Sequence, residues 1–99
     1  MFSEGIRPDA IFAGTDLRAF GIMKVLKEAG FRIPEDVAIV GSDNLPACLN
    51  QTPQLSSVEF PLRLMGGTLF DMLMEIKDHP GMPPFSRSVK CEFIRRASS

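Results

Sequence analysis

Apolar positions change their period several times along the chain, and each change marks an element. Arg7-Pro8-Asp9 is a turn signal, and Ala10-Ile11-Phe12-Ala13 is an unbroken apolar run closed by Gly14, the pattern of a strand buried on both faces. The period then lengthens. Leu17, Phe20, Met23 (or Ile22), Leu26 and Ala29 recur at spacings of three and four, which predicts a helix capped by Thr15 or Asp16 and ended by Gly30 in a left-handed conformation. Pro34-Glu35-Asp36 turns the chain into a second apolar run, Val37-Ala38-Ile39-Val40-Gly41, which leads to Ser42-Asp43-Asn44. Strand, helix, strand is a βαβ unit: the crossover joins parallel strands right-handedly and lays the helix on one face of the sheet.

The second half is less regular. Residues 45–55 form a polar, Pro-bearing loop with one helical turn near Leu45 to Leu49, and 55–60 reads as an extended segment stopped by Pro61, which can serve as a first helical residue. Leu62, Met65, Leu69, Met72, Leu73 and Ile76 then predict an amphipathic helix ending near Asp78-His79-Pro80-Gly81. Gly66-Gly67 inside it costs about 1 kcal/mol per glycine relative to Ala, so close packing against another backbone is expected. Met65, Met72 and Met74 read as adaptable core; on an exposed face they would suit a partner surface. Residues 86–94 are a last strand, with Val89, Cys91 and Phe93 alternating against Lys90 and Glu92 to leave one wet face.

With 99 residues and 44% hydrophobic content, the chain supports one small domain. Eleven basic against twelve acidic side chains, without a run of like charge longer than the pair Arg95-Arg96, exclude a surface built to grip nucleic-acid phosphates. Apolar runs of four residues are far short of the ~20 that span a bilayer, and Met1 to Gly5 lacks a basic start before an apolar block; a soluble chain without an export signal is expected. Cys48 and Cys91 have no second Cys or His at metal-ligand spacing, which predicts buried or half-buried thiols in a reducing cytoplasm and neither metal nor cofactor. His79 is the only histidine and sits where it complements a helix C-terminus. With no phosphate-binding glycine loop and no nucleophile elbow, a small α/β enzyme is the least supported class.

Chemistry concentrates instead where the two apolar runs end. Parallel strands place Thr15-Asp16 and Ser42-Asp43-Asn44 on the same sheet edge, and ligands of open α/β sheets bind outside the carboxyl ends of the strands. An aspartate there can accept hydrogen bonds from ligand hydroxyls or an amine. The plainer alternatives are that Asp16 caps its helix and Asp43 opens a turn.

The ordered strings Arg7-Pro8-Asp9-Ala10-Ile11-Phe12-Ala13-Gly14-Thr15-Asp16, Ala19-Phe20-Gly21, Glu28 through Asn44 with its Pro34-Glu35-Asp36-Val37 and Gly41-Ser42-Asp43-Asn44, Thr52 through Val58, Met65-Gly66 and the closing Arg96 carry a resemblance. Together they resemble the effector-binding domain of LacI/GalR-family transcriptional regulators over essentially the whole chain. The resemblance implies an α/β fold, the parallel βαβ core of a periplasmic-binding-protein-like type I lobe, with a crossover helix and a final strand, forming part of a two-lobed domain that closes on a small effector. It implies that residues 1–59 belong to the C-terminal lobe, 60–85 cross to the other lobe as its helix, and 86–99 return as a strand and a Ser-rich tail. Asp43 matches the family's cleft aspartate, Thr15 stands where an Asn is usual, Asp16 matches an Asp that is mainly a helix cap, Ser42 replaces an aromatic, and Asn44 follows the aspartate. Phe60 falls at a hinge-side position beside the cleft.

The implied effector is sugar-like by default, with a purine-like ligand as the variant that the altered contact positions leave open. DNA would be contacted only through a helix-turn-helix preceding Arg7, and Met1 to Gly5 reads as the end of an earlier helix. Leu69, Phe70, Leu73 and Ile76 would be left bare by the missing lobe, favouring a homodimer or other self-association. The isolated chain is expected to bind effector weakly or not at all. A solute-binding protein of a transport system is the rival reading, because it shares the fold.

Overall fold

The computed structural model describes residues 7–99; the expected helix end at Met1 to Gly5 lies outside them. By internal contacts the chain divides into two compact units, one holding the chain up to Glu59 together with Phe93–Ser99, the other Phe60–Glu92.

The first unit is the expected βαβ core. Strand β1 (Ala10–Phe12) pairs parallel with β2 (Ala38–Ser42), with Ile11 opposite Ile39 and Phe12 opposite Val40. Strand β3 (Ser56–Glu59) continues the parallel ladder on the other side of β2, with Gly41 opposite Ser57, and β4 (Glu92–Ile94) completes the order β1-β2-β3-β4. Between β1 and β2 runs helix α1 (Asp16–Glu28). Its C-terminus closes as predicted: Gly30 takes φ +87, its N–H donates to Lys27 O, and the Phe31 N–H reaches back to Leu26 O. This pair of bonds satisfies carbonyls that the helix end would otherwise leave open.

The core is one-sided. Ala19, Met23 and Leu26 of α1 pack with Ile33, Val37, Ile39, Cys48 and Leu55, all buried. The period that is buried on α1 runs Asp16, Ala19, Met23, Leu26, so Leu17, expected inside, is 70% exposed. The expectation of a first strand buried on both faces also fails: Phe12 is 64% exposed. Side chains alternate across a strand, so Ile11 and Ile39 face α1 while Phe12 turns to the opposite face, and β1 stands at the sheet's edge. The loop after β2 contains a 3₁₀ helix, Pro46–Asn50, where one helical turn was predicted.

The second unit centres on α2 (Leu62–Asp78), the predicted amphipathic helix, which begins one residue after Pro61. No residue of α2 is buried. Met65, Met72 and Met74 are half-buried, so they do not form the expected core. The side of the helix that carries Met65 and Met72 meets the 87–89 stretch, where Met65, Thr68, Leu69, Met72, Arg87 and Val89 line a groove of about 100 Å³, and Arg87 pairs with Glu75. Leu69, Phe70, Leu73 and Ile76 stay exposed. Gly66 and Gly67 have nothing within 4 Å of where a Cβ would stand, so among the described residues no backbone offsets their cost. Of the predicted last strand only Glu92–Ile94 pairs, and Cys91 and Phe93 are exposed. A strand needs a ladder to join; β3 offers four residues, and Pro83-Pro84 contribute no N–H upstream.

Candidate functional site

The predicted edge forms. Because β1 and β2 run parallel in register, the segments that follow them come together, and the hydrogen bonds there tie three separate stretches of chain. Gly14 turns the chain with φ +84 and Ser42 Oγ donates to its carbonyl, joining the ends of β1 and β2. Thr15 is the N-cap of α1: its backbone is extended and its Oγ1 accepts from the Arg18 N–H at 3.2 Å. That assigns the cap to Thr15 and corrects the reading of Asp16 as mainly a helix cap.

Asp16 is fully buried and acts as an internal brace. Its Oδ1 accepts from Ser57 Oγ at 2.7 Å, and its Oδ2 accepts from the Leu45 N–H at 2.7 Å and from Cys48 Sγ at 3.2 Å. A buried carboxylate is tolerated only when its oxygens are occupied in this way. Burial and the neighbouring Asp16 carboxylate push the Cys48 thiol up to about 11, so at neutral pH the thiol keeps its proton and donates it to that hydrogen bond. The close approach of α1 to β2 requires Gly41, since a Cβ there would stand 3.1 Å from both Asp16 Cα and Leu55 Cδ2.

On this brace sits the loop that carries Asp43. Asp43 and Asn44 both occupy the left-handed region, with φ of 110° and 53°. Three successive N–H groups are held: Asp43 donates to Val58 O at 2.9 Å, Asn44 to Ser57 Oγ at 3.0 Å and Leu45 to Asp16 Oδ2. Asn44 Oδ1 accepts from Arg96 Nη2 at 2.7 Å. The Asp43 side chain is exposed, and among the described residues no donor reaches its carboxylate. A rigid loop beyond the carboxyl ends of parallel strands thus presents one uncommitted carboxylate. Phe60 lies immediately after β3, half-buried, with its carbonyl accepting from the Leu62 N–H; it belongs to the second unit. An open basin of about 510 Å³ on the first unit is lined by Phe20, Met23, Lys24, Lys27, Glu28 and Gln51, none of them a candidate residue.

Sequence reasoning brought Thr15, Asp16, Ser42, Asp43 and Asn44 to one edge, and the structure gathers them. It missed Ser57, which both donates to Asp16 and accepts from Asn44, and Arg96, whose side chain crosses to the loop. The available signal for Ser57 was a pair of hydroxyls in a strand whose neighbours are apolar.

The whole chain, residues 1–99, matches the periplasmic binding protein-like domain. The chain belongs to that family. Within it, the chain is 34% identical over 98 residues to the HTH-type transcriptional repressor PurR of Escherichia coli O1:K1, covering 99% of this chain and 29% of that protein. In three dimensions it resembles the lac repressor dimer bound to operator and the anti-inducer ONPF, with a TM-score of 0.83 and 26% identity over 100% of this chain and 34% of the other. It also resembles the transcriptional regulator CelR in its cellobiose complex, with a TM-score of 0.79 and 32% identity over 92% and 28% of the two chains. The chain therefore spans about a quarter of the length of the curated relatives it matches. The mixed α/β architecture with a mainly parallel sheet is that of this periplasmic-binding-protein-like family. Among the described residues no helix is long and apolar enough to cross a membrane.

Proposed function

We propose that this chain is the effector-sensing part of a LacI-type transcriptional regulator, working in the cytoplasm and without catalysis of its own. The observation that carries the reading is the Asp43 loop: an exposed carboxylate without a protein donor among the described residues, on a backbone fixed at each successive N–H, outside the carboxyl ends of parallel strands. Asp43 accepts hydrogen bonds from effector hydroxyls or ring N–H groups. Thr15, Ser42 and Asn44 shape its surroundings, and Asp16 braces them from inside. In that layout residues 1–59 serve the C-terminal lobe, 60–85 the other lobe, and 86–99 the return. The relatives named above are regulators, which favours this reading over a solute-binding protein of transport. A sugar is the default effector, in line with the cellobiose bound by CelR; a purine is the variant. DNA contact belongs to a helix-turn-helix outside this chain, and the chain pairs with a second copy.

Titration of the labelled chain with cellobiose, ribose and adenine, followed by amide NMR, tests the reading. One ligand is expected to bind weakly, on the order of millimolar, since one lobe alone supplies few contacts. The shifts should centre on Ser42, Asp43 and Asn44. Asp43→Ala should reduce affinity by at least about tenfold, the value of a hydrogen bond to a charged group. Micromolar binding, or shifts centred elsewhere and unaffected by Asp43→Ala, would overturn it.

A further inference from the structure

The C-terminal segment and the Asp43 loop are distant in sequence and hydrogen-bonded in space. Arg96 donates through Nη2 to Asn44 Oδ1 and through Nη1 to Leu55 O, each at 2.7 Å, while its backbone N–H donates to Ser56 Oγ at 2.7 Å. One residue thus grips the start of β3 and the loop together. The segment behind it is anchored. Ser98 is fully buried; its Oγ accepts from the Ser56 N–H at 2.8 Å and donates to Ile39 O at 2.6 Å, and its carbonyl accepts from the Ile39 N–H at 2.9 Å. Since β3 begins pairing at Val40 opposite Ser56, Ser98 fills the place beside Ile39 that β3 leaves vacant. What reads in the sequence as a Ser-rich tail is hydrogen-bonded to β2 and β3.

Two successive non-glycine residues in the left-handed region persist only where the surroundings hold them. The loop N–H groups are held from below by Val58, Ser57 and Asp16. From the side, the one protein contact to the Asn44 carboxamide oxygen among the described residues is the Arg96 guanidinium. A guanidinium is planar, always charged and carries donors in a fixed fork, so it spans Leu55 O and Asn44 Oδ1 as a strut that a lysine ammonium cannot reproduce.

We propose that Arg96 is a positioning residue for Asp43: acting through Asn44, it locks the left-handed loop that presents the Asp43 carboxylate, and so makes the C-terminal segment part of the effector site's scaffold. The purpose of this device rests on the effector reading above; its test does not. Amide hydrogen exchange is measured by NMR on the 99-residue chain and on Arg96→Lys, Arg96→Ala and Asn44→Asp. Both Arg96 variants should speed exchange at Asp43, Asn44 and Leu45 by about tenfold or more. In Arg96→Lys the Ile39 amide, held by Ser98, should change by less than about twofold, because the segment stays docked. Asn44→Asp keeps an acceptor for the guanidinium and should keep the protection of the parent chain. If Arg96→Ala does not fold, Arg96→Lys decides. Unchanged exchange at residues 43–45 in Arg96→Lys overturns the proposal, and so does a loss shared equally by Ile39 and Ala38, which would make Arg96 a general stabiliser. Cellobiose and adenine are titrated into the same samples. Ligand shifts in the parent chain that centre away from residues 42–44 count against the effector reading alone, and the exchange comparison still decides the role of Arg96.

Discussion

Gly41 and Gly21 show how the same atom added at two places has opposite consequences. At Gly41 a Cβ meets Asp16 Cα and Leu55 Cδ2 at 3.1 Å and also presses on the Asp16 carboxylate; all three belong to fully buried residues that cannot swing away. Gly41→Ala should therefore cost about 3 kcal/mol, overpacking plus a disturbed buried carboxylate, and lower Tm by on the order of 10 °C or more. Gly21 lies within α1 with nothing within 4 Å, so Gly21→Ala should stabilise by up to about 1 kcal/mol. Thermal unfolding of both variants checks this; a harmless Gly41→Ala would show that Asp16 is not packed as described. The difference also explains what the sequence could reveal of the site. Thr15, Ser42 and Asp43 follow directly from two strand ends, a relation of local pattern. That Asp16 turns inward to Ser57, Leu45 and Cys48, 29 to 41 residues away, depends on the register of β2 with β3 and on the 3₁₀ turn, which no local pattern encodes. Arg96 is further removed still, and its residue type alone reads as a solvated charge.

At the level of elements, helices were legible wherever their apolar period was long, and strands wherever a run was continuous; the faces they bury were less so. Leu17 in α1 and Phe12 in β1 fit the apolar pattern yet stay exposed, because the packing partners of α1 come from one sheet face and from Cys48 and Leu55. The pattern records apolar content, and a neighbour must exist for that content to be buried. Helix α2 carries this furthest: amphipathic in sequence, without a buried residue in the structure, and interrupted by Gly66-Gly67. Since nothing approaches either glycine, Gly66→Ala and Gly67→Ala should each raise the helix's stability by about 1 kcal/mol. Circular dichroism on dilute samples, where copies stay apart, should show equal or higher helix content for both. A loss of helix in either would mean that the glycine serves a bend or a contact absent from the described residues.

For the whole molecule the decisive quantity is the apolar surface left uncovered. Leu62, Leu69, Phe70, Leu73 and Ile76 are 72%, 63%, 62%, 60% and 49% exposed, all on α2. Leu62, Gly66, Leu69, Leu73 and Ile76 follow one another at steps of four, three, four and three, the spacing of a seam between two helices, with Gly66 as the small residue that lets the backbones approach. We propose that, in the chain by itself, a second copy of α2 covers this face. Each large side chain buried is worth roughly 1.5–3 kcal/mol, and association costs at least about 4 kcal/mol, so several leucines contributed by each copy should produce a dimer with a dissociation constant on the order of 100 μM or tighter. Sedimentation velocity across about 10 to 500 μM should show the shift from monomer to dimer. Leu69→Lys and Leu73→Lys should hold the chain monomeric while leaving the amide protection of Ile39 and Ala38 in the first unit unchanged. Gly66→Ala separates the seam from a merely sticky surface. If helices cross closely at Gly66, the added methyl weakens the dimer although it strengthens the helix; if association is non-specific, the dimer survives. A compact monomer throughout the concentration range would leave the α2 face without a role in self-association.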